Sequence, residues 1–319
     1  MRLRSVSLAF SLTVGGQAAL LRAQVSLSGL PVSGWPSAVA FAGGGVVAWG
    51  DPARSVEYPV LSLRQSGTAV VSGFGTGAPG AALRSLRLGA VQVLRNQLSA
   101  SLALTSREMN DLIDDPSVPD GGLRVSDLEL RLGVARKIEV LRASVGLASE
   151  YTRSTIFSTE GTRLAFGMAI LVEPTSRAAL LIGIEGLGPG TQYRDGLANI
   201  RTQSQTRRAL VSAGLVLADG EQMTERLYID YERSMSRESF DRISLSGELV
   251  LLKLLTGRAG VTIRHDRRAS SEWERLYGLG LALRVSVFEF DYALTTGFNP
   301  DDLAPRQHFG LVWRHGREP

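Results

Sequence analysis

The sequence predicts an all-β chain closed into a transmembrane antiparallel β-barrel of about 14 strands, with a glycine-rich N-terminal segment entering it as a plug or luminal element. Three observations carry this reading. After residue 59 the chain divides into segments of period-two alternation, most near the roughly 9–11 residues that a tilted strand needs to cross a bilayer. The connections between them alternate short and long. Beyond the first twenty-odd residues, no apolar run approaches the roughly 20 that a spanning helix requires, which excludes a helical membrane protein.

The N-terminus opens with Arg2 and Arg4 before the apolar stretch Val6–Leu21, the pattern of an export signal, with cleavage expected after Ala23. This divides the chain into a signal peptide (1–23), a periplasmic or luminal segment (24–59) and the barrel (60–319). Removing 1–23 takes away Arg2, Arg4 and Arg22 but no acid. From 35 basic and 31 acidic residues, the mature chain keeps 32 against 31, or +1. That balance, with dispersed arginines and only two lysines, Lys137 and Lys253, argues against a nucleic-acid partner. The chain has no cysteine, so stability must come from burial and strand closure. An outer-membrane location with lipid as neighbour fits both facts.

The segment Gly34–Pro59 is small, nearly uncharged and glycine-dense. Gly43, Gly44 and Gly45 remove side chains where the backbone must pass close to something else, and Asp51 and Pro59 mark its far end. Strands are expected at 60–72, 83–94, 98–106, 123–135, 138–151, 162–173, 177–187, 207–218, 225–235, 241–255, 259–266, 273–284, 286–296 and 308–315. Leu128, Leu130, Leu132 and Val134 alternate with Asp127, Glu129, Arg131 and Gly133; Leu227, Ile229 and Tyr231 alternate with Tyr228, Asp230 and Glu232. One face is apolar and the other polar, as a barrel wall between lipid and lumen requires.

Short connections are expected at 95–97, 136–137, 174–176, 218–224, 256–258 and at Val285. Long ones are expected at 73–82, 107–122, 152–161, 188–206, 236–240, 267–272 and 297–307. An even strand number places both termini on the short-turn side, taken as periplasmic. Tyr151, Phe157, Tyr228, Trp273, Tyr277, Phe309 and Trp313 lie near segment ends, where an interfacial girdle sits.

Two stretches carry a family resemblance. Ala42-Gly43-Gly44-Gly45-Val46-Val47-Ala48-Trp49-Gly50-Asp51, followed by Glu57-Tyr58-Pro59, and the closing segment Phe290–Gly316 resemble the PorV/PorQ group of bacterial outer-membrane proteins, relatives of the FadL-type transporters for long-chain fatty acids. The arginine and methionine usual before the glycines are absent, and Tyr58 stands where asparagine precedes the proline. The resemblance implies a plugged barrel that passes a hydrophobic small molecule or assists export of a protein. A closed structural or partner-binding barrel and a secreted soluble β protein remain alternatives.

Nothing in the sequence points to an enzyme or a cofactor. His265, His308 and His315 lack metal-ligand spacing and read as interfacial or surface residues, and no G-x-S-x-G elbow is present. Asp111, Asp114, Asp115 and Asp120 depart from calcium-loop spacing and read as a solvated loop. The Gly186–Gly190 run lacks the lysine of a phosphate loop. Glu129, Arg131, Arg208, Asp230 and Glu232 fall on polar faces of spanning segments, and are expected to line or pack the lumen as paired charges.

Overall fold

The structure, a computed structural model, describes residues 35–76, 82–94, 97–110, 125–156, 159–194, 200–203, 207–235, 240–266, 273–296 and 305–316. Two short helices, α1 (Pro36–Ala40) and α2 (Pro52–Glu57), and a 3-10 turn (Pro59–Arg64) precede the strands. The strands are β1 (Thr68–Thr76), β2 (Ala82–Val93), β3 (Leu98–Asn110), β4 (Val125–Ile138), β5 (Ala143–Ile156), β6 (Thr159–Thr175), β7 (Ala178–Leu187), β8 (Thr191–Arg194), β9 (Ile200–Gln203), β10 (Arg208–Asp219), β11 (Met223–Ser234), β12 (Phe240–Leu251), β13 (Leu255–Asp266), β14 (Trp273–Val285), β15 (Phe288–Thr296) and β16 (Arg306–His315).

All pairings are antiparallel. β1 closes on β16 from Thr68↔His315 to Gly75↔His308. The β5–β6 pairing completes the ring on the other side. Of the sixteen strands, β8 and β9 form a side hairpin on β6, through Gly161↔Tyr193, so fourteen strands close the barrel. Closure leaves the ring no free edge, which soluble sheets must otherwise protect. The register shifts between Phe166 and Met168 where β6 meets β7, and Glu185 lies at that step.

The wall is inverted relative to a soluble protein. Outward Leu279 is 62% exposed and Ile229 54%, whereas inward Asp230 and Glu232 are buried. Only a surrounding apolar phase makes such a face favourable, and spanning strands bond every backbone group within the ring as lipid demands.

Each ring strand coincides with one expected segment, but several edges move. The first strand begins at Thr68, not residue 60: Pro59 starts the 3-10 turn, and Val60 and Leu61 are buried in it. Arg136 and Lys137 belong to β4, and the turn lies at Glu139–Leu141, closed by Arg142 with φ 46°. The expected turn at 256–258 is strand, because Gly257 pairs with Leu249 and Leu281; the actual turn is Leu252–Leu254. Most of the long loop expected at 152–161 is strand, since β5 runs to Ile156 and β6 starts at Thr159. The signal peptide, Phe157 and the Asp111–Asp120 cluster lie outside the described residues.

Candidate functional site

The site is built from the residues before the first strand. Trp35 caps α1, whose proline at the first position presets the helical φ. Asp51 caps α2, accepting from the Ala53 N–H at 2.9 Å, and is itself buried. Pro59 opens the 3-10 turn, which ends near Arg64. Trp35, Phe41, Val46, Val47, Val56, Val60 and Leu61 are all essentially without exposure, although helices this short have no stability of their own. Their burial is against the inward faces of the barrel.

Those inward faces carry glycine where the segment passes. A Cβ on Gly73 would meet Trp35 and Pro36, one on Gly89 would meet Val56, and one on Gly133 would meet Pro59 at 2.2 Å. On the other strands, Gly146 faces Val60, Gly214 faces Trp49 and Val47, Gly260 faces Phe41 at 2.4 Å, Gly278 faces Val39, Gly280 faces Ala40 and Gly310 faces Pro36. Strands on every side of the ring have thus lost their side chains where this segment lies. Glycine weakens a strand, so its recurrence here reflects close backbone approach.

The segment's own glycines divide into two kinds. Gly44 touches the wall: a Cβ there would lie 2.7 Å from Ser244 Cβ and 3.0 Å from Asp230 Oδ2. Gly43 and Gly45 hold left-handed backbone, φ 84° and 64°, and a Cβ on Gly45 would meet the ring of Phe41 rather than the wall. This tight turn aims successive N–H groups outward. Gly45 and Val46 donate to the Asp230 carboxylate at 2.7 and 3.1 Å, and Val47 donates to Ser212 Oγ at 3.2 Å.

Other bonds hold four of the segment's carbonyls. Thr262 donates to Ala42 O at 2.7 Å, Arg314 to Gly50 O at 2.9 Å and Arg64 to Val47 O at 2.9 Å, while Arg54 donates to Gly44 O. Arg64 also bonds Glu173 at 2.9 Å and lies 4.6 Å above the Trp49 ring. Burial pulls Arg64 below the ordinary guanidinium range against the opposing effect of Glu173, and pushes the Tyr58 hydroxyl well above its usual range, so the phenol stays neutral.

The wall charges form two lattices. One, on β3–β7 and β10–β12, links Arg107 to Glu129 at 2.9 Å, Arg131 to Glu150 and Glu185 at 3.3 and 2.7 Å, and Arg208 to Glu185 and Glu232 at 3.1 and 3.6 Å. Arg163 pairs with Glu150 and Arg242 with Glu232 in the same lattice. The other lies near the short-turn rim of β11–β16, where Arg258 bonds Glu248, Asp291 and Glu289 at 3.0, 2.6 and 3.6 Å, and Arg284 and Arg314 bond Glu289.

Of the five wall charges expected from the sequence, Glu129, Arg131, Arg208 and Glu232 are in the first lattice. Asp230 is not ion-paired as expected: its carboxylate is turned to backbone N–H groups of the glycine turn. His308 is not a surface residue but is buried at an inward position, against the space left by Gly75. His265 lies tilted against Trp273, and His315 stacks on Trp313. Tyr228, expected in the girdle, faces inward against Phe41. Among the described residues, no group of three or more His, Asp or Glu side chains is arranged to hold a metal ion.

No protein-family description matches the sequence, and no curated protein does. Solved structures match in fold. The chain is similar to the monoaromatic hydrocarbon channel CymD (TM-score 0.65, 11% identity, 90% of this chain and 99% of that one). It is similar also to the Pseudomonas putida toluene transporter TodX (0.57, 8%, 90% and 100%) and to a Pseudomonas aeruginosa FadL homologue (0.55, 12%, 88% and 97%). At such identities the likeness is one of fold, the 14-stranded FadL/TodX-like outer-membrane barrel.

Proposed function

We propose that the chain is an outer-membrane channel for a hydrophobic small molecule, in which residues 35–64 are a plug that closes the lumen in the state described. The fold supports passage, since barrels of this shape include channels named for monoaromatic hydrocarbons and toluene. The observation that carries the plug is the match between its backbone and the wall glycines, from Gly133 against Pro59 to Gly260 against Phe41. In this reading residues 1–23 are an export signal, the short turns face the periplasm, and the plug enters from that side.

A second reading is the accessory role in protein export that the PorV/PorQ resemblance implies. It is favoured by the Arg–Glu lattice on the inward wall, which is an unusual lining for an apolar passenger. Uptake separates the two. In cells stripped of their own hydrophobic-compound channels, the chain should raise entry of labelled toluene or labelled oleate several-fold over empty cells. No increase in either, together with impaired surface display of secreted proteins when the chain is absent, would replace the channel reading with the accessory one.

A further inference from the structure

The outer wall holds a second feature that neither the plug nor the lumen explains. Leu227, Gly247, Leu249, Gly257, Ala259 and Leu279 line a groove of about 740 Å³ on the lipid-facing side of β11–β14. The register places Gly247 beside Ala259 and Gly257 beside Leu249, so the small residues form a floor between leucine walls. The inward glycines are accounted for by the plug. A Cβ on Gly247 or Gly257 would instead meet only a backbone oxygen, at 3.7 and 4.0 Å, so nothing inside the protein requires glycine at either position.

Beyond Leu249 and Gly257, two residue pairs further along β12 and β13, comes the Leu252–Leu254 turn, where the lipid-facing band continues past the strand ends. Leu252 is 62% exposed, Leu254 is exposed, and Lys253 between them is exposed too. On the adjoining β10–β11 connection the chain is polar instead, with Asp219, Gly220, Glu221 and Gln222. The apolar band therefore reaches lower on β12–β13 than on its neighbour, and a cation stands at its lower edge. Apolar chains in a groove with an anionic group at the aqueous boundary are the chemistry this arrangement complements.

We propose that this groove seats a glycerophospholipid, one acyl chain lying over Gly247, Gly257 and Ala259 and its phosphate meeting Lys253, with the Leu252–Leu254 turn inserted at the membrane surface. Because the chain has no cysteine, single labels report the turn cleanly. A nitroxide on Leu252→Cys in phosphatidylethanolamine/phosphatidylglycerol bilayers should be relaxed by oxygen and shielded from a water-soluble nickel chelate, and one on Glu221→Cys should show the reverse. Phosphorus assay of detergent-extracted protein should find phospholipid retained by the wild type and reduced roughly fivefold by Lys253→Glu, for a loss of about 1 kcal/mol of headgroup attraction. Gly257→Leu, which fills the floor, should reduce it as well, while heat-modifiable gel mobility reports that both variants still form barrels. A Leu252 label open to nickel in bilayers overturns the proposal. So does one shielded from both reagents with phosphorus unchanged in Lys253→Glu, which would mean that a protein surface, not lipid, covers the groove.

Discussion

The lumen is filled in two different ways along its length. Where the N-terminal segment lies, the wall withdraws its side chains to glycine and the space is taken by another part of the chain, held through its backbone by Asp230, Ser212 and Thr262. Farther along, on β3–β7 and β10–β12, the wall keeps long side chains and fills the space with its own Arg–Glu pairs. The first filling is a separate stretch of chain and can move as a body, by giving up its bonds to the wall. The second can open only by rearranging wall side chains, separating ion pairs such as Arg131–Glu185. Opening the lumen would thus require two separable events.

The contrast is sharpest at Arg258, a residue of the wall. Arg258→Met leaves Glu248, Asp291 and Glu289 without their shared cation, and should destabilise the barrel by about 3–5 kcal/mol. The expected readout is a lower urea midpoint in refolding bilayers. An unchanged midpoint would mean that water screens this lattice.

Substitutions in the glycine belt should act on the N-terminal segment instead. Gly278→Val places a side chain where a Cβ already lies 2.3 Å from Val39 O, and Gly44→Leu intrudes on Ser244. Overpacking of about 1–3 kcal/mol at either site should displace the segment while the ring persists. Ion conductance should rise in both, with heat-modifiable mobility retained. If Gly278→Val instead failed to form a barrel, the belt would belong to the wall's own folding.

Asp230→Asn should have a smaller effect in the same direction. It exchanges charge-assisted bonds from the Gly45 and Val46 N–H groups for neutral ones, a change of about 1–2 kcal/mol. Brief opening events, not steady conductance, are the expected signature in single-channel records. Asp51→Ala removes only the α2 cap, about 1 kcal/mol, and should shift protease sensitivity of the segment modestly.

Much of the ring was legible in the sequence, because lipid on one side and a polar interior on the other impose strict period two. Leu227 to Glu232 alternates without a break, and its parity alone assigned every residue to the correct face. Edges failed where apolar runs hid turns: Leu251–Leu255 reads as continuous strand, yet Leu252 and Lys253 both adopt left-handed φ, 52° and 57°. The first strand was misplaced because Val60, Leu61 and Ser62 are buried on all sides inside the ring, so their polarity does not distinguish a 3-10 turn from a strand.

The site was legible from one side only. Gly43–Gly45 stand out as a run, whereas the wall glycines that complete the fit are scattered from Gly73 to Gly310 and become a belt only in three dimensions. A signal was present: Gly133, Gly278 and Gly280 fall in step with charged and polar residues of their strands, at positions where the inward face is due. Asp230 lies on the inward face that its parity assigns, but the N–H groups that donate to it from the glycine turn lie about 185 residues away in sequence and no local pattern marks them.

Deleting residues 35–64 and recording conductance in planar bilayers, beside gel mobility of the same preparation, tests most directly whether the segment closes the barrel. A heat-modifiable barrel with conductance well above wild type, still limited by the Arg–Glu lattice, is the expected result. A barrel that forms normally and conducts no more than wild type would contradict it, and would leave the lattice as the sole closure of the lumen.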